Sequence, residues 1–157
     1  EIFRQLGVTT EYESLGIRIK ISDNQTNRLV YDFTDCPDLV PAVMVTCAAK
    51  GIPALFKGVG HLQFKESDRM ESLKTELAKI GSVIVKNGED YELSAKTAHF
   101  TDLHFETYSD HRIAMSLAPL VSQFNSITLS DPGIVNKSYS AYWNDLQQLN
   151  VCTIAEN

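Results

Sequence analysis

Lys65-Glu66-Ser67-Asp68-Arg69 gathers two cations and two acids that can act on a small molecule within about one helical turn. A second set follows as Asp110-His111-Arg112 and Lys137. Asp38 precedes Lys65 by 27 positions and Asp110 precedes Lys137 by the same 27, so both pairs repeat with a 72-residue offset. Arginine offers paired N–H donors to a carboxylate or phosphate, and lysine adds a point charge. A carboxylate beside them has its acidity tuned and can move protons. Charges repeated in register argue for one shared target, a site for small anions.

Each residue has a plainer reading as well. Asp38 and Asp110 stand where buried helices are expected to begin, and there a carboxylate caps the free N–H groups of the first turn. Asp110 reads as such a cap, holding the turn that carries His111 and Arg112. For Asp38 both roles stay open, because Asp35, Pro37 and Asp38 crowd one turn. Lys65 and Lys137 are expected to open two amphipathic helices. That end of the dipole suits an anion and not a cation, unless an anion is bound between them; the alternative is a solvated lysine. Arg69 serves a ligand or pairs with Glu66 or Glu76. Arg112 serves a ligand or pairs with Asp110. Glu66 is a proton carrier or a first-turn glutamate, and His111 a proton carrier or a core histidine.

The elements that must position these groups also repeat. Glu1–Gly7 resembles Thr75–Gly81, and Trp143–Asn150 takes the third equivalent place. Each reads as the end of an amphipathic helix closed by a left-handed Gly or Asn. A strand pair is expected after the first two: Thr10–Glu13 with Ile17–Ile21, then Val83–Lys86 with Tyr91–Ser94, the latter joined at Asn87-Gly88. A single strand, Val151–Ile154, is expected after the third. Asp38–Lys50 and Asp110–Ser122 read as helices apolar on most sides, hence buried, each followed by a strand (Ala54–Val59 and Ser126–Leu129). The unit is βαβαββ with a period near 72 residues. Residue 1 falls in the last turns of a helix, so the expectation is a piece of a longer protein, cut on its N-terminal side and ending at its natural C-terminus.

With 157 residues, 43% apolar and 22% charged, the composition is that of a globular domain with a real core. A net charge of −6 argues against a nucleic-acid surface and for cations concentrated locally. The longest apolar run is too short for a bilayer. Cys36, Cys47 and Cys152 form no CxxC pair, and no signal peptide opens the sequence, so reduced thiols in a cytoplasm are expected. His99 and His104 have weak spacing for a metal, and no metal site is expected.

Pro37-Asp38, Lys65-Glu66-Ser67-Asp68-Arg69, Asp110-His111-Arg112-Ile113-Ala114-Met115 and Lys137-Ser138-Tyr139 together resemble 5-enolpyruvylshikimate-3-phosphate synthases, over nearly the whole chain. The resemblance implies an α/β fold of repeated βαβαββ units, the inside-out α/β barrel of enolpyruvyl transferases, here two units plus the end of a third. It implies that residues 1–157 are part of the C-terminal domain of a two-domain enzyme whose N-terminal domain is absent. The implied reaction transfers the enolpyruvyl group of phosphoenolpyruvate to the 5-hydroxyl of shikimate 3-phosphate with release of phosphate, and uses no cofactor. By similarity, Asp38 contacts shikimate hydroxyls and accepts a proton, Lys65 touches substrate at the reacting centre, and Glu66 exchanges a proton at C3 of phosphoenolpyruvate. Arg69, Arg112 and Lys137 hold the phosphoenolpyruvate anion, with His111 beside them. The implied partners are the two substrates and the chain's own missing domain, with no nucleic acid or membrane.

Two positions depart from the family pattern. Ser140 stands where a proline is common, so the helix behind Lys137 is expected to start less firmly. His61 stands where some members have a substrate-contacting Asn, and that role is not carried over. With half the site missing, the chain alone is expected to be catalytically silent. The alternatives are the sister transferase acting on UDP-N-acetylglucosamine, disfavoured by the sequences above, and a non-catalytic anion-binding module of the same fold.

Overall fold

The computed structural model describes residues 1–95, 102–149 and 151. His99, Cys152 and most of the expected strand Val151–Ile154 lie outside the described residues. A short helix α1 (Ile2–Gln5) leads into a two-stranded antiparallel ribbon, β1 (Leu6–Glu13) with β2 (Gly16–Gln25). One βαβαββ unit follows: β3 (Leu29–Asp32), α2 (Val40–Ala49), β4 (Ala54–Lys57), α3 (Arg69–Ala78), β5 (Val83–Asn87) and β6 (Asp90–Ser94). The next unit is described as β7 (Leu103–Phe105), α4 (His111–Leu117), β8 (Ile127–Leu129) and α5 (Tyr142–Gln148).

The complete unit forms a four-stranded sheet in the order β3-β4-β6-β5. β3 and β4 are parallel, in the register Leu29↔Ala54 to Asp32↔Lys57, while β6 is antiparallel to both β4 and β5. A parallel pair needs a crossover, and α2 supplies it. β7 and β8 repeat the arrangement around α4, with Leu103↔Ile127 and Phe105↔Leu129.

The core lies where α2, α3 and α4 pack together. α2 buries Val40, Pro41, Val43, Met44, Val45, Cys47 and Ala48, as expected of a helix apolar around its circumference. Phe33, just after β3, stacks on Phe56 of β4 at 5.1 Å. Burial pushes the Cys47 thiol up to about 12, so it is held as an unreactive apolar filler. The β1–β2 ribbon is different: Ile17, Ile19 and Ile21 share one face of β2 and are exposed.

The expected C-cap glycines, Gly7 and Gly81, have φ of +86° and +84°. In the β5–β6 hairpin Asn87 pairs with Asp90, so the turn is centred on Gly88-Glu89, one residue later than expected. Gly88 alone takes a positive φ (+62°) there, the pattern of a type II′ turn.

Three expectations need correction. Asp38 does not begin an α-helix. It lies in a 3-10 turn, Pro37–Leu39, with α2 starting at Val40, because Pro41 has no N–H to close an α bond onto Pro37. The helix at Asp110 ends as α at Leu117 and continues to Ser122 as 3-10, where Pro119 likewise lacks a donor. Neither Lys65 nor Lys137 opens a helix. Lys65 closes the 3-10 turn Gly60–Phe64 as its C-cap, and Lys137 is the last residue of the 3-10 turn Pro132–Lys137. Asp68, a far better N-cap than lysine, starts α3, with its carboxylate accepting the Glu71 N–H at 3.0 Å.

Candidate active site

The turns just before α2, α3 and α4 converge, and α3 begins at their meeting point with Arg69. This guanidinium is almost fully enclosed, at 1% exposure. A buried cation needs carboxylates, and Arg69 has one on each nitrogen. Its Nε donates to Asp110 Oδ2 (2.8 Å), Nη1 to Asp38 Oδ1 (3.2 Å) and Nη2 to Glu66 Oε2 (2.6 Å). The Arg69–Glu76 pairing, open from the sequence, is not formed.

The network continues from Arg69 in both directions. Asp38 Oδ2 accepts from Arg112 Nη2 at 2.7 Å. Glu66 Oε1 faces Lys137 Nζ at 3.8 Å. The order is therefore Arg112, Asp38, Arg69, Glu66, Lys137, with Asp110 beneath. Arg112 and Lys137 remain 34% and 55% exposed, so the outer cations face water while the central one does not.

Local chemistry fixes each member. Asp110 is the N-cap of α4, as expected, with Oδ1 accepting the Arg112 N–H at 2.9 Å. Ser67 adds a hydrogen bond to Oδ2 at 3.2 Å. Burial alone would raise the pKa of Asp110. The hydrogen bonds from Arg69, the Arg112 N–H and Ser67 outweigh it and hold the carboxyl below the ordinary range. Asp110 is thus cap and counter-ion together; the guanidinium it holds is that of Arg69, which the sequence did not indicate, while the Arg112 guanidinium goes to Asp38 and not to Asp110. Glu66 is held below its ordinary range first by a hydrogen bond from its own backbone N–H. Partial burial opposes this, and the charges of Arg69 and Lys137 reinforce it.

Lys137 depends on α5. Trp143 Nε1 donates to the Pro132 carbonyl at 2.9 Å, and the Tyr142 hydroxyl donates to the Met115 carbonyl on α4 at 2.8 Å. α5 itself begins late, after Ala141 and without a side-chain cap, in keeping with the serine at position 140. The other predicted residues are less engaged. Lys65 is exposed, and among the described residues its ammonium meets no hydrogen-bond or ion-pair partner. His111 is buried, and among the described residues its Nδ1 meets no partner.

The segment leading into Asp110 is strained. Tyr108 and Ser109 both take left-handed φ, +54° and +52°. For residues with a Cβ this costs on the order of 1–2 kcal/mol each. Tyr108 donates its hydroxyl to Glu76 Oε1 at 2.7 Å, and burial together with that carboxylate pushes the phenol up to about 12.

Comparison with known proteins fits this constellation. The sequence profile of EPSP synthase (3-phosphoshikimate 1-carboxyvinyltransferase) matches residues 1–146. This chain belongs to the EPSP synthase family. A 3-phosphoshikimate 1-carboxyvinyltransferase from Bacteroides fragilis (strain YCH46) is 41% identical over 156 residues, covering 94% of this chain and 37% of that protein. One from Methanosphaerula palustris is 33% identical over 146 residues, covering 91% and 33%. EPSP synthase from Acinetobacter baumannii superposes with a TM-score of 0.70 at 20% identity, covering 94% of this chain and 37% of that one, which establishes the shared fold. The chain therefore spans little more than a third of the length of these relatives. Within the EPSP synthase family fold, the convergent turns belong to successive βαβαββ units, so the 72-residue repeat of charge is a repeat of structure.

Proposed function

We propose that this chain is part of the C-terminal domain of a two-domain 3-phosphoshikimate 1-carboxyvinyltransferase and contributes half of its active site. The observation that carries this reading is the alternating row Arg112–Asp38–Arg69–Glu66–Lys137, assembled from four turns of two successive units. Its outer cations are open to solvent, and they are the ones able to take up the carboxylate and phosphate of phosphoenolpyruvate. Arg69 engages the same anion by exchanging an Asp38 or Glu66 oxygen for a substrate oxygen. Lys65, free of protein partners among the described residues, reaches the reacting centre, and His111 lines the site beside Arg112.

In the proposed reaction Asp38 accepts the proton of the shikimate 5-hydroxyl as its oxygen bonds to C2 of phosphoenolpyruvate. C3 takes up a proton, giving a tetrahedral adduct. Loss of a proton from C3 then expels phosphate and leaves the enolpyruvyl ether. Glu66 is placed for the C3 proton. Its neighbours keep it ionised in the free site, the form in which it takes a proton back from C3 in the second step. Binding a trianionic substrate beside it raises its proton affinity and readies it as an acid. Three cations gathered before substrate arrives supply electrostatic stabilisation with little further movement. The remaining contacts to shikimate 3-phosphate come from the other domain, so we propose that the chain alone does not turn over. The enzyme is proposed to work in the cytoplasm; no described helix is long and apolar enough to cross a membrane.

The test is phosphate release by the whole protein that carries this chain, given phosphoenolpyruvate and shikimate 3-phosphate. Turnover is expected, with Lys137→Ala raising the KM for phosphoenolpyruvate roughly tenfold or more, the worth of a charged hydrogen bond. Absence of turnover, with anion binding retained, would establish the non-catalytic module instead.

A further inference from the structure

A second buried carboxylate lies away from the substrate-facing row. Glu76 is fully enclosed on α3, seven residues after Arg69 and so on the same helix face. Its Oε1 accepts the Tyr108 hydroxyl at 2.7 Å. Its Oε2 accepts the Glu106 N–H at 3.0 Å and the Lys79 ammonium at 2.6 Å. α3 therefore grips the segment 106–110 twice: through Glu76 at the front of the segment, and through Arg69 on Asp110 at its end. Ser130 adds a third hold, accepting the Thr107 N–H at 3.0 Å. Between the grips lie Tyr108 and Ser109, both left-handed. A pair of such residues persists only where the surroundings over-determine it.

We propose that Glu76 and Tyr108 are positioning residues of the anion site: their hydrogen bond holds the left-handed turn that aims Asp110, and Asp110 in turn sets Arg69 and Arg112. This rests on the enolpyruvyl-transfer reading. Without the phenol hydroxyl, the turn loses a restraint and can relax toward ordinary φ, which rotates the Asp110 carboxylate away from the Arg69 guanidinium and the Arg112 backbone N–H. Serine at position 109 makes the idea testable, because glycine adopts the same φ without strain. A glycine there removes the turn's own reason to relax.

The experiment uses the whole enzyme that carries this chain and compares wild type, Tyr108→Phe, and Tyr108→Phe with Ser109→Gly. Steady-state kinetics and thermal melting are measured for each. Tyr108→Phe is expected to raise the KM for phosphoenolpyruvate roughly three- to tenfold, less than the full worth of a hydrogen bond to a charged acceptor because the effect reaches the anion only through Asp110, while kcat changes by less than about twofold. Adding Ser109→Gly is expected to bring the KM back toward wild type without raising the melting temperature. A change that follows the melting temperature and is not restored by glycine overturns the positioning role, as does an unchanged KM in an active Tyr108→Phe enzyme. A wild-type protein that releases no phosphate overturns the enzymatic reading itself, which is a separate result.

Discussion

Asp38 and Asp110 hold equivalent places 72 residues apart, yet the fold uses them differently. Asp110 is fully buried: one oxygen caps α4, and the other takes Arg69 and Ser67. Asp38 is about half exposed, caps nothing, and offers one oxygen to Arg69 and the other to Arg112. The difference originates in Pro41, which tightens the turn at Asp38 into a 3-10 form and takes it out of the capping position. A carboxylate committed to a helix end and a buried guanidinium cannot receive a substrate proton. One at the surface, with lone pairs still facing water, can. Repetition supplied two copies of a charge, and a local proline separated their duties.

The largest effect that would break this contrast is on stability. Asp110→Ala leaves Arg69 buried without its best partner and is expected to cost about 3–5 kcal/mol, read as a fall in the urea midpoint at constant m-value. A loss no greater than that of an exposed pair would erase the distinction between the two aspartates. Asp38→Ala should behave in the opposite way. Its pair with Arg112 is solvent-facing and worth about 1 kcal/mol or less, and Arg69 keeps Asp110 and Glu66 when Asp38 is lost, so the cost in stability should be well below that of Asp110→Ala, whereas turnover of the whole enzyme should fall by roughly a hundredfold or more, as for loss of a general base.

The pH dependence sharpens the same point. The pKa of Asp110 is lowered in the folded state, so its stabilisation is complete above the ordinary aspartate value, about 3.9, and disappears as pH drops through the folded value. The stability gap between wild type and Asp110→Asn should therefore be constant near neutrality and close in acid. A gap that persists unchanged at low pH would mean that packing, and not charge, distinguishes the variant. The smallest effect is expected of Ser67→Ala, which removes one long hydrogen bond to Asp110 and should cost about 1 kcal/mol.

Much of the fold was readable from the sequence, since period-2 and helical patterns mark β1, β2, β5, β6 and the buried helices directly. The late start of α2 and the early α end of α4 share one cause: Pro41 and Pro119 act through missing N–H groups, which convert α turns to 3-10 without disturbing the apolar pattern. The charged residues of the site were also visible as residues. Their pairing was not. Arg69 meets Asp38 and Asp110 across 31 and 41 residues, and Arg112 meets Asp38 across 74, so packing of whole elements decides which carboxylate reaches which guanidinium. Glu76 did leave a trace. It stands among Met70, Leu73 and Leu77 on the buried face of α3, and a carboxylate there requires buried donors. Nothing local named Tyr108 as one of them.

The β1–β2 ribbon carries its own consequence for handling the isolated chain. Among the described residues both ribbon edges lack a partner strand, and the isoleucines of β2 face water beside them. Such an edge is a template for pairing with another molecule. Concentrated solutions of these 157 residues should scatter light increasingly with time, and a lysine in place of Ile19 should keep them clear.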